Sequence, residues 1–550
     1  MKKPLLVVII LLAAFLRLYK LGSVPLSLYW DEASLGYNAY SILTTGRDEH
    51  GNFLPTTNFP AFGDYKPPGY IYVAVPSVAI FGLNEFAIRF PSALFGILTV
   101  LLTYILAKKL FEKENLAQLS ALLLAISPWH IGLSRGAFEG NLALFFSTLG
   151  IYLFIKFAKD NALFIYFCAA AFLVAVYTFT GQRLFVPFIL LVLLIQFRKQ
   201  VQAHLLHVAT AAVISVVLFW PLFIFATQTI EGRLRFNEVT IFKDLEPIDR
   251  STRYREHDNL GPQSLGTRTA SSAYLPISAI IHNRRLLYAR EYLIHYFDAF
   301  NPSFLFTKGD INPRFSTQDV GQLYLIELPL VLAGIYFLVK NRQKYTFLII
   351  AWLLVSPLGP ATARETPHAL RMVYTLPTYQ LIAAFGLLGL YQVIGLKRVL
   401  VFVIVSAYLL QFLFYEHMYW FHWAKNYAGE WQYGYKQAIE VIKPLYSEAD
   451  YVVVSKHLGR PYIYFLLYLA YDPSQYRQTA QIIRDQFYFI EVMGFDKFLF
   501  VESVADTKVS GKVIFVTAPG QTPLSATMIA AIQSPDKKTV FEISRATVEK

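Results

Sequence analysis

Leu28-Tyr29-Trp30-Asp31-Glu32-Ala33 follows the first apolar run of the chain and opens a polar loop that closes at Tyr65-Lys66-Pro67-Pro68-Gly69. Two adjacent carboxylates therefore stand at the edge of a segment apolar enough to enter a bilayer. A carboxylate near bilayer depth is costly unless it faces water, a cavity or a partner, so such a residue is a functional candidate by default. An acidic pair after a hydrophobic helix can equally be the solvated start of a loop, and the rest of the chain has to decide between the two.

The 550 residues are 55% hydrophobic and only 16% charged, against roughly 25% charged in soluble domains. This is the composition of a polytopic membrane protein. A net charge of +12 would point to nucleic acid in a soluble chain. Here the Lys and Arg residues gather in short clusters between apolar runs, where they orient a membrane protein, and nucleic acid is set aside as a partner. The single Cys168 lies inside an apolar run, which excludes an intrachain disulfide and a thiolate metal cluster. Met1-Lys2-Lys3 before Leu5 to Leu16 resembles a secretory signal. No small-x-small cleavage site follows, and Arg17 and Lys20 come directly after, so the segment reads as an uncleaved first transmembrane helix.

Runs long enough to span, or nearly so, fall at about 4–22, 88–107, 116–133, 140–158, 161–178, 183–197, 204–227, 321–339, 345–358, 372–395 and 399–418. The run 71–83 is short, follows Pro67-Pro68 and contains Pro76, which suits an interfacial or re-entrant piece. If it does not cross, Lys2 and Lys3, Lys108 with Lys109 and Lys113, Lys156 with Lys159, Arg198 with Lys199, Lys340 with Arg342 and Lys344, and Lys397 with Arg398 all share the cytoplasmic side. If it crosses, every cluster but the first moves outside. The first arrangement is expected. It places the loops 23–87 and 228–320 and everything after about residue 420 outside the cytoplasm. The cytoplasmic turns are short and basic, and no Gly-rich phosphate loop occurs.

From about residue 430 the pattern changes. A helical stretch from Tyr433 to Leu445, the apolar run Tyr451-Val452-Val453-Val454, a second helical stretch from Pro461 to Tyr471 and strand-like runs at Lys512–Val516 and Val540–Ile543 read as a small soluble α/β domain. The expected fold is mainly α, a polytopic integral membrane protein of about eleven transmembrane helices over residues 1–420, with an extracytoplasmic α/β domain over 430–550.

On the outer face this topology collects Asp31, Glu32, Asp64, Lys66, Arg135, Glu139, Arg183, Arg364, His368 and Arg371. Such a mixture suits a reaction in which a carboxylate takes a proton from an attacking hydroxyl while cations hold an anionic leaving group. No Asp-x-Asp, His-x-x-x-His or paired Cys is present, so no metal site is expected. Arg364, His368 and Arg371 either close on a phosphate or anchor a helix end at the interface. Glu416 and His417 sit among Tyr415, Tyr419, Trp420 and Trp423 and read as part of an aromatic belt. The stretch from Asn301 to Arg314, with Asp310, reads only as an ordered turn.

Phe15-Leu16-Arg17-Leu18, Trp30-Asp31-Glu32-Ala33, Lys66-Pro67-Pro68, the stretch Glu85-Phe86-Ala87-Ile88-Arg89-Phe90-Pro91-Ser92-Ala93 and Ala107-Lys108-Lys109-Leu110-Phe111 together resemble membrane glycosyltransferases of the GT-C fold. That family includes protein O-mannosyltransferases and lipid A aminoarabinose transferases. The resemblance runs over about residues 10–160 and implies a catalytic base at Asp31 beside Glu32. It also implies a lysine at Lys66 that contacts the lipid phosphate, and a second acid at the start of the helix after the next outer turn, where Glu139 stands in place of the usual Asp. Tyr65 occupies the position before the lysine, where the aminoarabinose enzymes carry an acid.

The reading that follows is an inverting, metal-independent transfer of a sugar from a polyprenyl-phosphate carrier to a hydroxyl on a lipid, glycan or protein outside the cytoplasm. Asp31, Glu32 and Glu139 are the expected acids. Lys66, Arg135, Arg364, His368 and Arg371 are the expected phosphate-binding set, and no cofactor is called for because the lipid-linked sugar is itself a substrate. The alternative is a flippase or transporter of lipid-linked sugars, in which intramembrane charges line a path.

Overall fold

The computed structural model describes residues 3–260, 280–394, 398–485, 489–504 and 507–549. Lys2, Lys397 and residues 261–279 of the long outer segment lie outside the described residues. The chain enters as α1 (Lys3–Leu18) and passes through α2 (Trp30–Thr45), the hairpin β1 (Phe59–Ala61) and β2 (Asp64–Lys66), and α3 (Pro68–Phe81). A bundle follows: α4 (Glu85–Phe111), α5 (Glu114–Ala125), α6 (Pro128–Arg135), α7 (Glu139–Lys159), α8 (Phe164–Thr178), α9 (Gln182–Gln196), α10 (Arg198–Ala203) and α11 (Leu205–Gln228). Later helices include Glu327–Lys340, Thr346–Val355, Thr378–Ile394 and Arg398–His417.

Local chemistry sets the ends that matter for the site. Asp31 and Glu32 occupy the first turn of α2, where carboxylates favour the positive end of the helix dipole. Gly46 closes that helix in the left-handed region at φ +67°, its N–H bonded to the Ile42 carbonyl. Asn84 caps α4 by accepting from the Ala87 N–H at 2.9 Å.

Among the described residues, five helices are long and apolar enough to cross a membrane: Glu85–Phe111, Glu139–Lys159, Leu205–Gln228, Val373–Val393 and Val401–Asn426. A sixth span results if α5 and α6, bent by 55° at their junction, count as one. The expected eleven crossings are therefore not confirmed. The reason is visible at particular residues. The run 116–133 is broken where Ser127-Pro128 starts a new helix, and 345–358 ends its helix at Val355 before turns built on Pro357 and Pro360. An apolar run in sequence is not yet a straight helix. The piece 71–83 falls in α3, whose 14 residues extend about 21 Å, short of the roughly 30 Å hydrocarbon core. Along α11 the large apolar side chains Val213, Val216, Val217, Leu218 and Trp220 face outward, as expected where the surroundings are lipid.

Residues 451–548 form a seven-stranded sheet in the order β4 (Gln481–Arg484), β5 (Ile490–Phe495), β6 (Phe498–Val501), β3 (Tyr451–Ser455), β7 (Gly511–Thr517), β9 (Thr539–Val548), β8 (Thr527–Gln533). β3 pairs in parallel with β6 and β7, and the outer pairs are antiparallel. The sheet does not stand apart from the membrane bundle. One buried cluster runs from Leu28, Leu35, Tyr37, Ile71 and Ile88 into Tyr464, Phe465, Phe498 and Phe541. Tyr464 donates to the Leu28 carbonyl at 3.2 Å, Lys436 pairs with Glu85 at 2.7 Å, and Arg477 donates to the Asp48 carbonyl at 3.2 Å.

Candidate active site

The site is assembled from the first outer loop. In the β1–β2 hairpin Phe59 pairs with Lys66 and Ala61 with Asp64, and Gly63 turns the chain at φ +62°. Asp64 and Lys66 are two residues apart on one strand, so their side chains leave the same face. The Lys66 Nζ lies 2.8 Å from Asp64 Oδ2 and 2.6 Å from Asp31 Oδ1 on the first turn of α2. Pro67 and Pro68 end the strand and start α3, which fixes the backbone beside the lysine. Burial opposes the Lys66 ammonium, but the carboxylates of Asp31, Asp64 and Glu139 overcome it and hold the amine above the usual lysine range. Glu139, buried at the start of α7, lies within the electrostatic reach of Lys66, Asp31 and Asp64.

Asp31 and Glu32 are adjacent in sequence and opposite in setting. The Asp31 side chain is 25% exposed and that of Glu32 is 0% exposed. Glu32 takes a two-point pair from Arg89, at 2.9 Å to Oε1 and 3.0 Å to Oε2, and accepts the Ala137 N–H at 2.8 Å and the Tyr29 N–H at 3.3 Å. Arg89 in turn donates to the carbonyls of Leu21, Pro25 and Ser27. This network ties α4 and the turn before α7 to the start of α2 and occupies the Glu32 carboxylate entirely inside the protein.

The structure brings Asp31, Lys66 and Glu139 together and sets the other expected residues apart. Arg135 is fully buried and donates to Tyr419 Oη at 2.9 Å and to the carbonyls of Leu16 and Val24 at 2.9 and 3.1 Å, with Trp420 stacked on its guanidinium. Arg364, half exposed, donates to the Glu238 carbonyl at 2.9 Å and lies 3.7 Å from Asp244. Arg371 folds onto its own loop through the Glu365 carbonyl and carboxylate. His368 lies 3.8 Å from Asp310 and packs on Phe315. Asp310 accepts the Ala369 N–H at 2.6 Å, and burial pushes its carboxyl up to about 6. Among the described residues, no three His, Cys, Asp or Glu side chains are grouped as metal ligands.

Two arginines outside the expected phosphate-binding set lie against Trp30, the residue before Asp31. Arg314 lies over the rings of Tyr29 and Trp30, with ring-centroid distances of 5.7 and 5.3 Å, and Arg460 lies over Trp30 and Phe62 at 5.8 and 4.7 Å. Phe315, beside Arg314, also touches Phe138, the residue before Glu139. Arg314 closes the stretch that starts at Asn301 and reads in sequence only as an ordered turn, and nothing in the sequence singles out Arg460; both come from positions far from residue 31.

Residues 65–225 match the family model described as dolichyl-phosphate-mannose-protein mannosyltransferase. An uncharacterised protein of Aquifex aeolicus is 32% identical over 144 residues, covering 25% of this chain and 29% of that protein. A putative mannosyltransferase of Bacillus subtilis, YkcB, is 27% identical over 225 residues, covering 40% of this chain and 30% of that one. The chain thus matches less than a third of the length of either relative. In three dimensions it is similar to ArnT from Cupriavidus metallidurans bound to undecaprenyl phosphate, with a TM-score of 0.53 at 14% identity over 98% of this chain and 97% of that one. The fold is therefore that of the GT-C membrane glycosyltransferases. The resemblance read from the motifs over about residues 10–160 is matched by the family model from residue 65 to 225, a span that includes Lys66-Pro67-Pro68 and begins after Trp30-Asp31-Glu32-Ala33, and the likeness in fold extends over 98% of the chain.

Proposed function

We propose that the protein transfers a sugar, with mannose the first to test, from a polyprenyl-phosphate carrier to a hydroxyl acceptor on the extracytoplasmic face, with inversion and without a metal ion. The observation that carries this reading is the partly exposed Asp31 carboxylate on the first turn of α2, held 2.6 Å from the buried Lys66 of the β1–β2 hairpin. Asp31 accepts the acceptor's hydroxyl proton as that oxygen forms a bond to the anomeric carbon. The bond from that carbon to the phosphate oxygen breaks, and the carrier leaves as polyprenyl phosphate with the electron pair. Lys66 orients Asp31 through their 2.6 Å contact and contributes positive charge toward the departing oxygen. The mannosyltransferase description of the matching family and the undecaprenyl phosphate bound by the structurally similar ArnT support this choice of donor.

The test is incubation of purified protein in detergent with radiolabelled undecaprenyl-phosphate mannose and a panel of lipid, glycan and peptide hydroxyl acceptors. Stoichiometric release of undecaprenyl phosphate with labelled product is expected. Movement of the intact labelled lipid across a vesicle bilayer with no release of undecaprenyl phosphate would instead identify a transporter.

A further inference from the structure

Lys66 is the cation nearest Asp31, yet its charge is already answered. Two carboxylates lie within 2.8 Å of Nζ and a third, Glu139, is close enough to act on it. The immediate surroundings of the base carry Asp31, Asp64 and Glu139 against Lys66, with Arg183 close enough to act on Asp64, which leaves three carboxylates against two cations. An anionic leaving group placed there needs positive charge from elsewhere.

Arg460 supplies it from the tail domain. Its guanidinium lies over the Trp30 indole, one residue before Asp31. It also lies over the hairpin turn one residue before Asp64, where a Cβ on Gly63 would meet Arg460 Nη2 at 2.8 Å. Among the described residues the Arg460 side chain makes no ion pair and no hydrogen bond; it rests on the Trp30 and Phe62 faces, with the Tyr462 phenol within reach of its charge. A half-buried guanidinium with five donors and no acceptor is unusual, because this group binds carboxylate and phosphate two-pronged. Its backbone is held at φ +53° and ψ +47°, a region rarely adopted by residues with a Cβ, and Pro461 directly after it disfavours the ordinary helical conformation. Arg314 approaches the same indole at 5.3 Å; it shares Glu430 at 3.4 Å and its buried Nε has no partner.

We propose that Arg460, together with Arg314, forms an anion-binding pair on Trp30 that holds the phosphate of the lipid-linked donor. The tail domain then contributes directly to the active site. This rests on the transferase reading and deepens it: Lys66 orients the base and faces the departing oxygen, and the two arginines supply the further charge that holds the phosphate.

The experiment uses the full-length protein in detergent, with undecaprenyl phosphate as the probe and undecaprenol, which lacks the phosphate, as its control. Arg460→Gln is expected to weaken undecaprenyl phosphate binding about tenfold or more, as for loss of a charge-assisted contact. Undecaprenol binding should be unchanged, and Arg460→Lys should recover part of the loss with a wild-type thermal midpoint. Arg314→Gln should show a smaller loss in the same direction. In turnover the donor KM should rise while the acceptor KM stays put. Equal undecaprenyl phosphate affinity in wild type, Arg460→Gln and Arg314→Gln overturns the proposal, and so does a rise confined to the acceptor KM, which would assign the pair to an anion on the acceptor. A wild-type protein that binds no undecaprenyl phosphate overturns the transferase reading itself, a result distinct from either.

Discussion

Replacing Glu32 by Ala should destabilise the fold far more than replacing its neighbour Asp31. The Glu32 carboxylate is fully buried and answers Arg89 at two points, 2.9 and 3.0 Å, along with the N–H groups of Ala137 and Tyr29. Removing it leaves a buried guanidinium facing only carbonyl oxygens and strands two N–H donors. Loss of one partner from a buried pair costs about 3–5 kcal/mol, and a stranded buried donor adds about 1–3 kcal/mol. Asp31, by contrast, is partly exposed and its partner Lys66 retains Asp64 at 2.8 Å. Thermal unfolding of purified protein in detergent, followed by the fluorescence of a thiol- or environment-sensitive dye, should show a drop on the order of 5–10 °C for Glu32→Ala. Asp31→Asn should stay within a degree or two of wild type, and Glu32→Gln should fall between, since it keeps the shape and one acceptor. A Glu32→Ala protein with the wild-type midpoint and no turnover would refute this division of labour and move Glu32 into the chemistry.

Lys66→Ala should lose most turnover, and Lys66→Arg should keep part of it, because the lysine both orients Asp31 and offers charge to the leaving oxygen; steady-state rates with saturating donor check this. Burial raises the Glu49 carboxyl to about 8 and lowers the His50 imidazole to about 4. Folded Glu49 keeps a proton that the unfolded chain gives up near 4.5, so its contribution to stability falls as pH rises through that window to 8. Folded His50 lacks a proton that the unfolded chain takes up below 6.5, so its contribution rises with pH from about 4 to 6.5. Between pH 6.5 and 8 the Glu49 decline continues after the His50 contribution has levelled off, and the fall of the melting midpoint across that range should be shallower in Glu49→Gln. In Gly386→Ala the new Cβ would sit 2.0 Å from the Leu330 carbonyl oxygen; this close helix contact should cost roughly 1–3 kcal/mol by overpacking, read as a lower thermal midpoint with the donor KM unchanged.

Much of the bundle was legible because apolar runs and basic turns follow directly from the cost of burying charge and backbone in lipid. The count of crossings was not. Pro128 and Pro357 divide runs that are continuous in composition, and α5 and α6 meet at 55°. In the tail, β3, β7 and β9 showed as apolar stretches. The edge strand β4 is exposed along its whole length and β8 largely so, and a strand with no buried face leaves little periodic signal. At the site, Asp31, Lys66 and Glu139 could be placed near one another because each lies at a helix or strand end beside the membrane. Arg135 looked like a phosphate ligand for the same reason, but Leu16, Val24 and Tyr419 consume its donors. Arg314 read only as the end of an ordered turn and Arg460 gave no sign at all, since only the folded chain brings residues 314 and 460 to the Trp30 ring.

The most direct test of the account is the turnover of Asp31→Asn with radiolabelled polyprenyl-phosphate mannose and a competent acceptor. The amide keeps the shape and a hydrogen-bond acceptor for Lys66 but cannot take the proton, so the rate should fall about 10²–10⁴-fold, with donor binding and thermal midpoint preserved. Turnover near the wild-type rate would contradict the assignment of Asp31 as the base.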